Sequence, residues 1–579
     1  MFTNEKTLIE FCAKRGRVTI AEYIVFAMVL SSHLTFAQVT DPSLVGQWST
    51  VQSFPYMPAH THVMYNGVVL FWPTFDVGNN PQLWNPSTNG VTAATFAPYN
   101  IFCAGHSFLA NGKLLVTGGQ DPTGNGLPNA SIYDPISGTW TQLPDMNQGR
   151  WYPTNTTLAN GDVLVVSGQI DPSIGNDALP QVWQAGSNTW RNLTTAQLTQ
   201  PLYPSMFLLP NGKVFNAGPS QTTRSLDTTG TGAWTFVAYS KYGSRDYGPA
   251  VMYQPGKIIL IGGGGPTNTA ETIDMNAASP AWSYAAPMTY PRRQGNATIL
   301  PDGTIFVSGG SSGSAFDDET APVYPTELWN PLTNTWTTLA SVAVYRGYHS
   351  TSVLLPDGRV MEGGGEKTGA TYQIFSPPYL FHGTRPTISS TPSGGLSYGQ
   401  TFFVGTPSAS SIGSVTLLGL DSTTHTFDQN QRFNQLAFTQ TTGGLNVISP
   451  ANANLAPPGY YMLFIISSTG VPSVAAIVQL APGSSRPATP SNLSAAAASG
   501  SKINLRWTDN SNNESGFSIE RSVNTSSNFT QIATVGAGVT NYADSGLTVS
   551  TFYYYRVRAF NASGNSAYSN TAKAKTLAH

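Results

Sequence analysis

Seven times between residues 64 and 365 the chain repeats one short pattern: an apolar run, a polar turn with glycine, and a second apolar run ending in small residues. The copies read "MYNGVVLFWP", "LANGKLLVTGG", "LANGDVLVVSG", "LLPNGKVFNAG", "YQPGKIILIGGGG", "LPDGTIFVSGG" and "LLPDGRVMEGGG". Their turn glycines, Gly67, Gly112, Gly161, Gly212, Gly256, Gly303 and Gly358, recur every 44–55 residues. Between copies lie segments such as "ASIYDPISGTWTQL", "PQVWQAGSNTWRNL" and "PTELWNPLTNTWTTL", each a strand, a polar turn and a strand closed by tryptophan. Each unit therefore supplies four strands. A lone four-stranded sheet cannot bury both faces, so the units must stack radially and close on themselves, and the period is that of a β-propeller.

The repeat resembles the kelch type, which implies a seven-bladed kelch-type β-propeller over residues 38–384 of an all-β chain. Composition agrees: charged residues are 10% of the chain, and the 57 glycines and 41 prolines suit short strands joined by turns. A formal net charge of −2 without a basic block excludes nucleic-acid binding by phosphate neutralisation. The run Gly262–Gly265 lacks the Lys-Ser/Thr of a phosphate loop, so it marks a blade end.

The periodicity changes after "YQIFSPPYLFHGTRPTI". Residues 385–482 alternate as one Ig-like β-sandwich would. "APGSSRPATPSN" reads as a linker. Within 483–579, Trp507 and the strand Tyr553-Tyr554-Tyr555-Arg556-Val557 resemble a fibronectin type III domain. At the other end, Lys14, Arg15 and Arg17 precede an apolar stretch and the small-x-small triplet Thr35-Phe36-Ala37. A signal peptide over residues 1–37 is expected, interrupted only by Glu22. No later stretch is apolar for long enough to span a membrane.

The chain has two cysteines. Cleavage after Ala37 would remove Cys12 and leave Cys103 alone in an oxidising compartment, where thiols are normally paired or absent. Cys103 is then either an inert buried thiol or a reactive one. It lies just before a blade's first hairpin, in "NIFCAGHSF". Tyr152 in "GRWYPTNTTL" holds the matching place in the next blade, and Tyr348 and His349 in "YRGYHSTSVLLPDG" hold it in the seventh. All face one mouth of the propeller. His425, in "DSTTHTFDQNQRF", falls in the following sandwich. Singly, each has an ordinary reading as a core aromatic or a solvated histidine. Together, two imidazoles and two phenols suit Cu(II) better than Ca²⁺ or Mg²⁺, with zinc the rival. His60 and His62 alternate on one strand and mimic a metal pair, but nothing near them in sequence adds ligands. No HExxH helix is present.

From about residue 45 to 482 the chain resembles the copper-radical oxidases, the galactose oxidase and glyoxal oxidase group. The likeness rests on "FCAGHSFLANGKLLVTGG", "RWYPTNTTLANGDVLVVSG", "YRGYHSTSVLLPDGRVMEGGG", "THTFDQNQRF" and "PPGYYMLFIISSTGVPSVA". It implies that Cys103 is joined by a thioether to Tyr152, which ligates copper and carries a radical. It implies that Tyr348 is the axial ligand and base, and that His349 and His425 are the equatorial imidazoles. The cofactors implied are one copper ion and the Cys-Tyr radical. The reaction implied takes two electrons from a small primary alcohol or hydrated aldehyde and passes them to O2, giving H2O2. One departure stands out. Ile170 occupies the place of a tryptophan that galactose oxidase stacks over its cross-link, so that group is missing or comes from another loop. Galactose is therefore a doubtful substrate, and aldehydes of the glyoxal type or small alcohols are expected. Arg245, in "YGSRDYGPAVMY", is either a substrate-orienting arginine or a surface one. The alternative to an enzyme is a non-catalytic extracellular propeller that binds glycan or a cell-surface partner. The C-terminal domain could provide polysaccharide or cell-surface contact in either case.

Overall fold

In the computed structural model, residues 40–481, 487–511, 514, 516–561 and 564–578 are described. The expected leader lies outside them. The repeat glycines each close the first hairpin of a sheet, with φ between 77° and 85°, a backbone region that a side chain would strain. In blade 2, for example, the Gly112 N–H donates to the Leu109 carbonyl at 2.8 Å.

Seven consecutive antiparallel sheets follow. Their first strands are His60–Val63, Gly105–Phe108, Thr154–Thr157, Ser205–Leu208, Ala250–Gln254, Arg293–Ile299 and Ser350–Leu354. The first strand of blade 2 packs on that of blade 3, blade 3 on 4, 5 on 6, 6 on 7, and 7 on 1. These strands therefore line the axis. Blade 7 has only three strands of its own, and its outer edge is filled by Gln47–Trp48 and Gln52–Ser53 from the N-terminal side of blade 1. That pairing joins the ends of the ring.

The tryptophans that close the outer hairpins also tie neighbouring blades. The indole N–H of Trp140 donates to the Thr95 carbonyl (3.0 Å) and that of Trp190 to Pro144 (2.8 Å). Trp234, Trp336 and Trp48 donate to Ala196, Ala286 and Ala340, each on the preceding blade. One tryptophan thus supplies apolar area and satisfies a carbonyl where two blades meet.

The axis of the ring is filled from outside it. The next domain is a sandwich of two sheets, Thr401–Gly405 with Phe438–Thr441 and Gly444–Ile448, against Ile412–Gly419 with Phe433–Leu436, Gly459–Ser467 and Ala476–Leu480. From it a hairpin, Ser422–Thr424 and Phe427–Asp428, enters the propeller and pairs with blade 1, placing Thr424 opposite His60. Side chains beside the hairpin satisfy first-strand amides of other blades. Gln429 Oε1 accepts from His106 N (3.2 Å) and Asn155 N (2.9 Å), Gln431 Oε1 from Ile299 N (2.9 Å), and Asp421 Oδ2 from Leu354 N (2.6 Å). The C-terminal unit is a separate β-sandwich, with Trp507, Phe517, Tyr555 and Val557 in its core. Among the described residues, no helix is long and apolar enough to cross a membrane.

Gln429→Leu would leave two buried amides without an acceptor, a loss of about 2–5 kcal/mol. The expected result is a lower denaturant midpoint for the propeller transition; an unchanged midpoint would show that the hairpin does not brace the blades.

Candidate active site

Five blades place a non-glycine residue with positive φ nine positions before the turn glycine: Cys103 (58°), Tyr152 (65°), Tyr203 (43°), Tyr247 (52°) and Gln294 (58°). His349 (62°) does the same in blade 7, and blade 1 has Pro58 there. These residues form a rim at one mouth of the ring, linked through their backbones. Tyr152 N donates to Cys103 O, Tyr203 N to Tyr152 O, and Gln294 N to Tyr247 O, each at 2.9 Å. Residues held in this backbone region at one rim are an observed strain of the kind that gathers at functional sites.

The hairpin from the sandwich delivers the remaining member. Thr424 pairs with Phe427, so His425 and Thr426 form a two-residue turn, with φ of 48° and 71°. Asn-Gly usually fills such a turn. Here a β-branched residue and a histidine accept the strain, and the His425 ring is carried to the rim. Its centroid lies 4.6 Å from the Tyr152 ring, 4.5 Å from His349 and 5.4 Å from Tyr348. Tyr152 and Tyr348 meet hydroxyl to hydroxyl in a short hydrogen bond. Cys103 Sγ is 3.7 Å from His425 Nε2 and packs in one buried cluster with Tyr152 and Tyr203. Cys103, Tyr152, Tyr348, His349 and His425 are thus brought together from three blades and a second domain.

Burial favours the neutral forms of four members of the set, Cys103, Tyr152, Tyr348 and His425. Burial pushes the Tyr152 and Tyr348 phenols and the Cys103 thiol up, and pushes the His425 imidazole well down, with His349 and His60 adding to the last effect. His349 Nδ1 is bonded to the Glu366 carboxylate, which that contact holds below its usual range. With the ring proton on Nδ1, Nε2 presents a lone pair, and this buried nitrogen has no partner. A carboxylate–histidine pair with a free inner nitrogen is how metal-binding imidazoles are held. His425 is similarly fixed through Nδ1 by the Thr424 hydroxyl at 2.6 Å. Two such imidazoles with two phenols form a set that fits Cu(II).

Beside these residues opens a cavity of about 390 Å³, lined by Tyr152, Tyr203, Tyr247, Phe316, Asp246 and His425 among others. Tyr203 and Tyr247 were not anticipated, although the nine-residue offset from the turn glycine would have found them. The Tyr247 ring lies 5.5 Å from Tyr348, edge to face, and burial pushes its phenol up to about 12.

Two other expectations change. Arg245 is buried and does not reach the cavity. Its guanidinium pairs with Glu271 at 2.7 Å and donates to Gly262 O and Thr269 O. Arg150, Arg292 and Arg346 donate equivalently to Ser167, Gly309 and Gly364. Arg245 thus belongs to a repeated strut beneath the rim, which overturns the substrate role. His60 and His62 are buried in the first blade strand, and His60 Nε2 lies near Cys103 Sγ and His425 Nε2. That nitrogen already accepts the Cys103 amide at 3.0 Å, so it has no lone pair left for a metal. The aromatic partner of Tyr152 comes from its own loop: Trp151 sets its ring 4.3 Å away at 66°. Ile170 sits on the short strand Gln169–Asp171, which bridges back to Trp151.

The glyoxal oxidase N-terminus model matches residues 82–227 and 264–380, the galactose oxidase-like early set domain matches 385–480, and fibronectin type III matches 488–575. A galactose oxidase of Gibberella zeae is 32% identical over 492 residues, 75% of this chain and 71% of that protein. The chain belongs to the galactose oxidase and glyoxal oxidase family. As a member it is a copper oxidase. An aldehyde oxidase of Vitis pseudoreticulata is 30% identical over 437 residues, covering 66% of this chain and 82% of that one. A fungal alcohol oxidase of the AA5 family, solved in complex with copper, superposes with a TM-score of 0.68 at 28% identity, over 75% of this chain and 99% of that structure.

Arg245→Met would strand a buried Glu271 charge, a loss of about 3–5 kcal/mol. The expected result is a clear fall in thermal stability with KM for small substrates unchanged at permissive temperature. A raised KM in a protein of normal stability would restore the substrate role.

Proposed function

We propose that this oxidase is a secreted copper-radical enzyme that oxidises small primary alcohols or hydrated aldehydes and reduces O2 to H2O2, through a Cys103–Tyr152 thioether. The observation that carries the reading is the convergence of His349 Nε2, buried and unpartnered, with His425 and the touching hydroxyls of Tyr152 and Tyr348. An unpartnered imidazole nitrogen set beside a second imidazole and two phenols is the donor set a copper ion needs, and a binding platform has no use for it.

His349, His425, Tyr152 and Tyr348 would hold the ion. Copper would supply one electron acceptor and the oxidised thioether-linked Tyr152 the second, so that a two-electron oxidation needs no flavin or nicotinamide. Tyr348, which packs against the cavity-lining rings of Tyr247 and Phe316 at 5.5 and 4.8 Å, would take the proton of the substrate hydroxyl. Glu366 holds the His349 tautomer, and Thr424 that of His425. The cavity walls include three phenols, Phe316, Phe427 and Leu202, and the one carboxylate among them, Asp246, is paired with Arg293 at 3.3 Å. Such a pocket suits a small neutral substrate over a carboxylic acid, in line with glyoxal-type aldehydes or short alcohols. The leader supports export, and the C-terminal sandwich is read as a tether to polysaccharide or a cell surface.

The test is peroxide release by copper-loaded protein over a panel of small alcohols and aldehydes. Wild type should turn over and consume one O2 per substrate. Cys103→Ser should keep copper and lose activity by about 10²-fold or more, because the second electron acceptor is harder to form. Tyr348→Phe should also keep copper and lose turnover. No peroxide from fully loaded wild type across the panel would refute the reading.

A further inference from the structure

Along the rim, each N–H so far described is donated to the carbonyl of the preceding rim residue. Cys103 departs from that rule. The place before it belongs to Pro58, whose carbonyl accepts the Thr351 hydroxyl at 3.0 Å. The Cys103 N–H is donated to the side chain of His60 instead, at 3.0 Å to Nε2.

That single contact orders a buried chain of neutral rings. An amide only donates, so His60 Nε2 is the acceptor and its proton sits on Nδ1. His60 Nδ1 lies 3.2 Å from His106 Nε2, which must accept, and His106 Nδ1 then donates to Ser422 Oγ at 2.7 Å. Ser422 meets His62 Nδ1 at 2.9 Å. His60, His62, His106 and Ser422 are all fully buried. Ser422 stands on the strand whose turn presents His425. The backbone of Cys103 is therefore tied through two imidazoles to the inserted hairpin.

We infer that His60 is a positioning residue for the covalent cofactor: by accepting the Cys103 N–H it holds the thiol's backbone in its left-handed conformation, with Sγ against Tyr152, so that the thioether closes. In that closure the thiol hydrogen and one ring hydrogen of Tyr152 leave as two protons and two electrons, a sulfur–carbon bond forms, and O2 is reduced to H2O2. The inference rests on the cross-link reading above. Without His60 the Cys103 amide is orphaned, and the strained backbone can relax away from the tyrosine.

The experiment follows closure in copper-free protein after addition of Cu(II) in air, by the mass of the joined Cys103 and Tyr152 peptides, lighter by ~2 Da than their sum. Copper content and thermal stability are measured alongside. His60→Ala and His60→Met, which supply no correctly placed acceptor, should bind copper normally but close at least about tenfold more slowly, a factor set by one lost buried hydrogen bond. His60→Gln, whose amide oxygen can stand where Nε2 stood, should recover most of the rate. His62→Ala removes a neighbouring buried ring without touching Cys103, and should close at the wild-type rate even where its stability falls. Equal rates for His60→Met and His60→Gln at full copper loading would overturn the inference. Failure of wild type to form the thioether would overturn the cross-link reading, and this inference with it.

Discussion

A closed ring of blades leaves the free edges of its innermost strands facing a central channel, and any amide buried there must find a partner. In this protein those edges are satisfied by another domain. The hairpin at Ser422–Asp428 adds itself to blade 1, while Asp421, Gln429 and Gln431 cap amides of blades 2, 3, 6 and 7. The hairpin braces the ring and carries a histidine to the rim. Stability and the site thus depend on the same insertion, because unpaired buried backbone amides are costly.

The rim shows how a repeat becomes a site. The offset between rim residue and turn glycine is the same in every blade, so one backbone conformation is used repeatedly while its side chain changes from cysteine to tyrosine to histidine. Cross-blade backbone bonds keep these residues in register, and buried arginines beneath them, each bonded to a strand-end carbonyl, hold the loops. At Cys103, which follows Pro58 along the rim, the amide is accepted by a side chain instead, that of His60. Strain at Cys103, Tyr152, His349 and His425 is maintained by this surrounding structure and places reactive groups where relaxed loops would not.

Much of this was legible in the sequence. The glycine spacing defines the blades, and the motifs around Cys103, Tyr152, Tyr348, His349 and His425 match a family whose site they resemble. What stayed hidden depends on distances between remote segments. Nothing near Arg245 in sequence marks Glu271 as its partner, so a buried strut could pass for a substrate arginine. His60 and His62 offered no nearby ligands, and only the fold brings His106 and Ser422 to them. Nothing in the sequence distinguishes Trp151 as the aromatic neighbour of Tyr152, because adjacent residues ordinarily point apart and only the left-handed backbone at Tyr152 brings the two rings to 4.3 Å. The use of Gln47–Trp48 to complete blade 7 depends on ring closure, which no local pattern encodes.

The central claim is that blade 7 and the inserted hairpin each give one imidazole to a single copper site, while the neighbouring histidine chain stays metal-free. Electron paramagnetic resonance of the protein loaded with one equivalent of Cu(II) tests this directly, since coupling to nitrogen counts the imidazoles bound. The expected spectrum shows a tetragonal ion coupled to two nitrogens, falling to one in His349→Ala. Coupling to three or more nitrogens, or a spectrum unchanged in His349→Ala, would place the metal among His60, His62 and His106 and contradict the account.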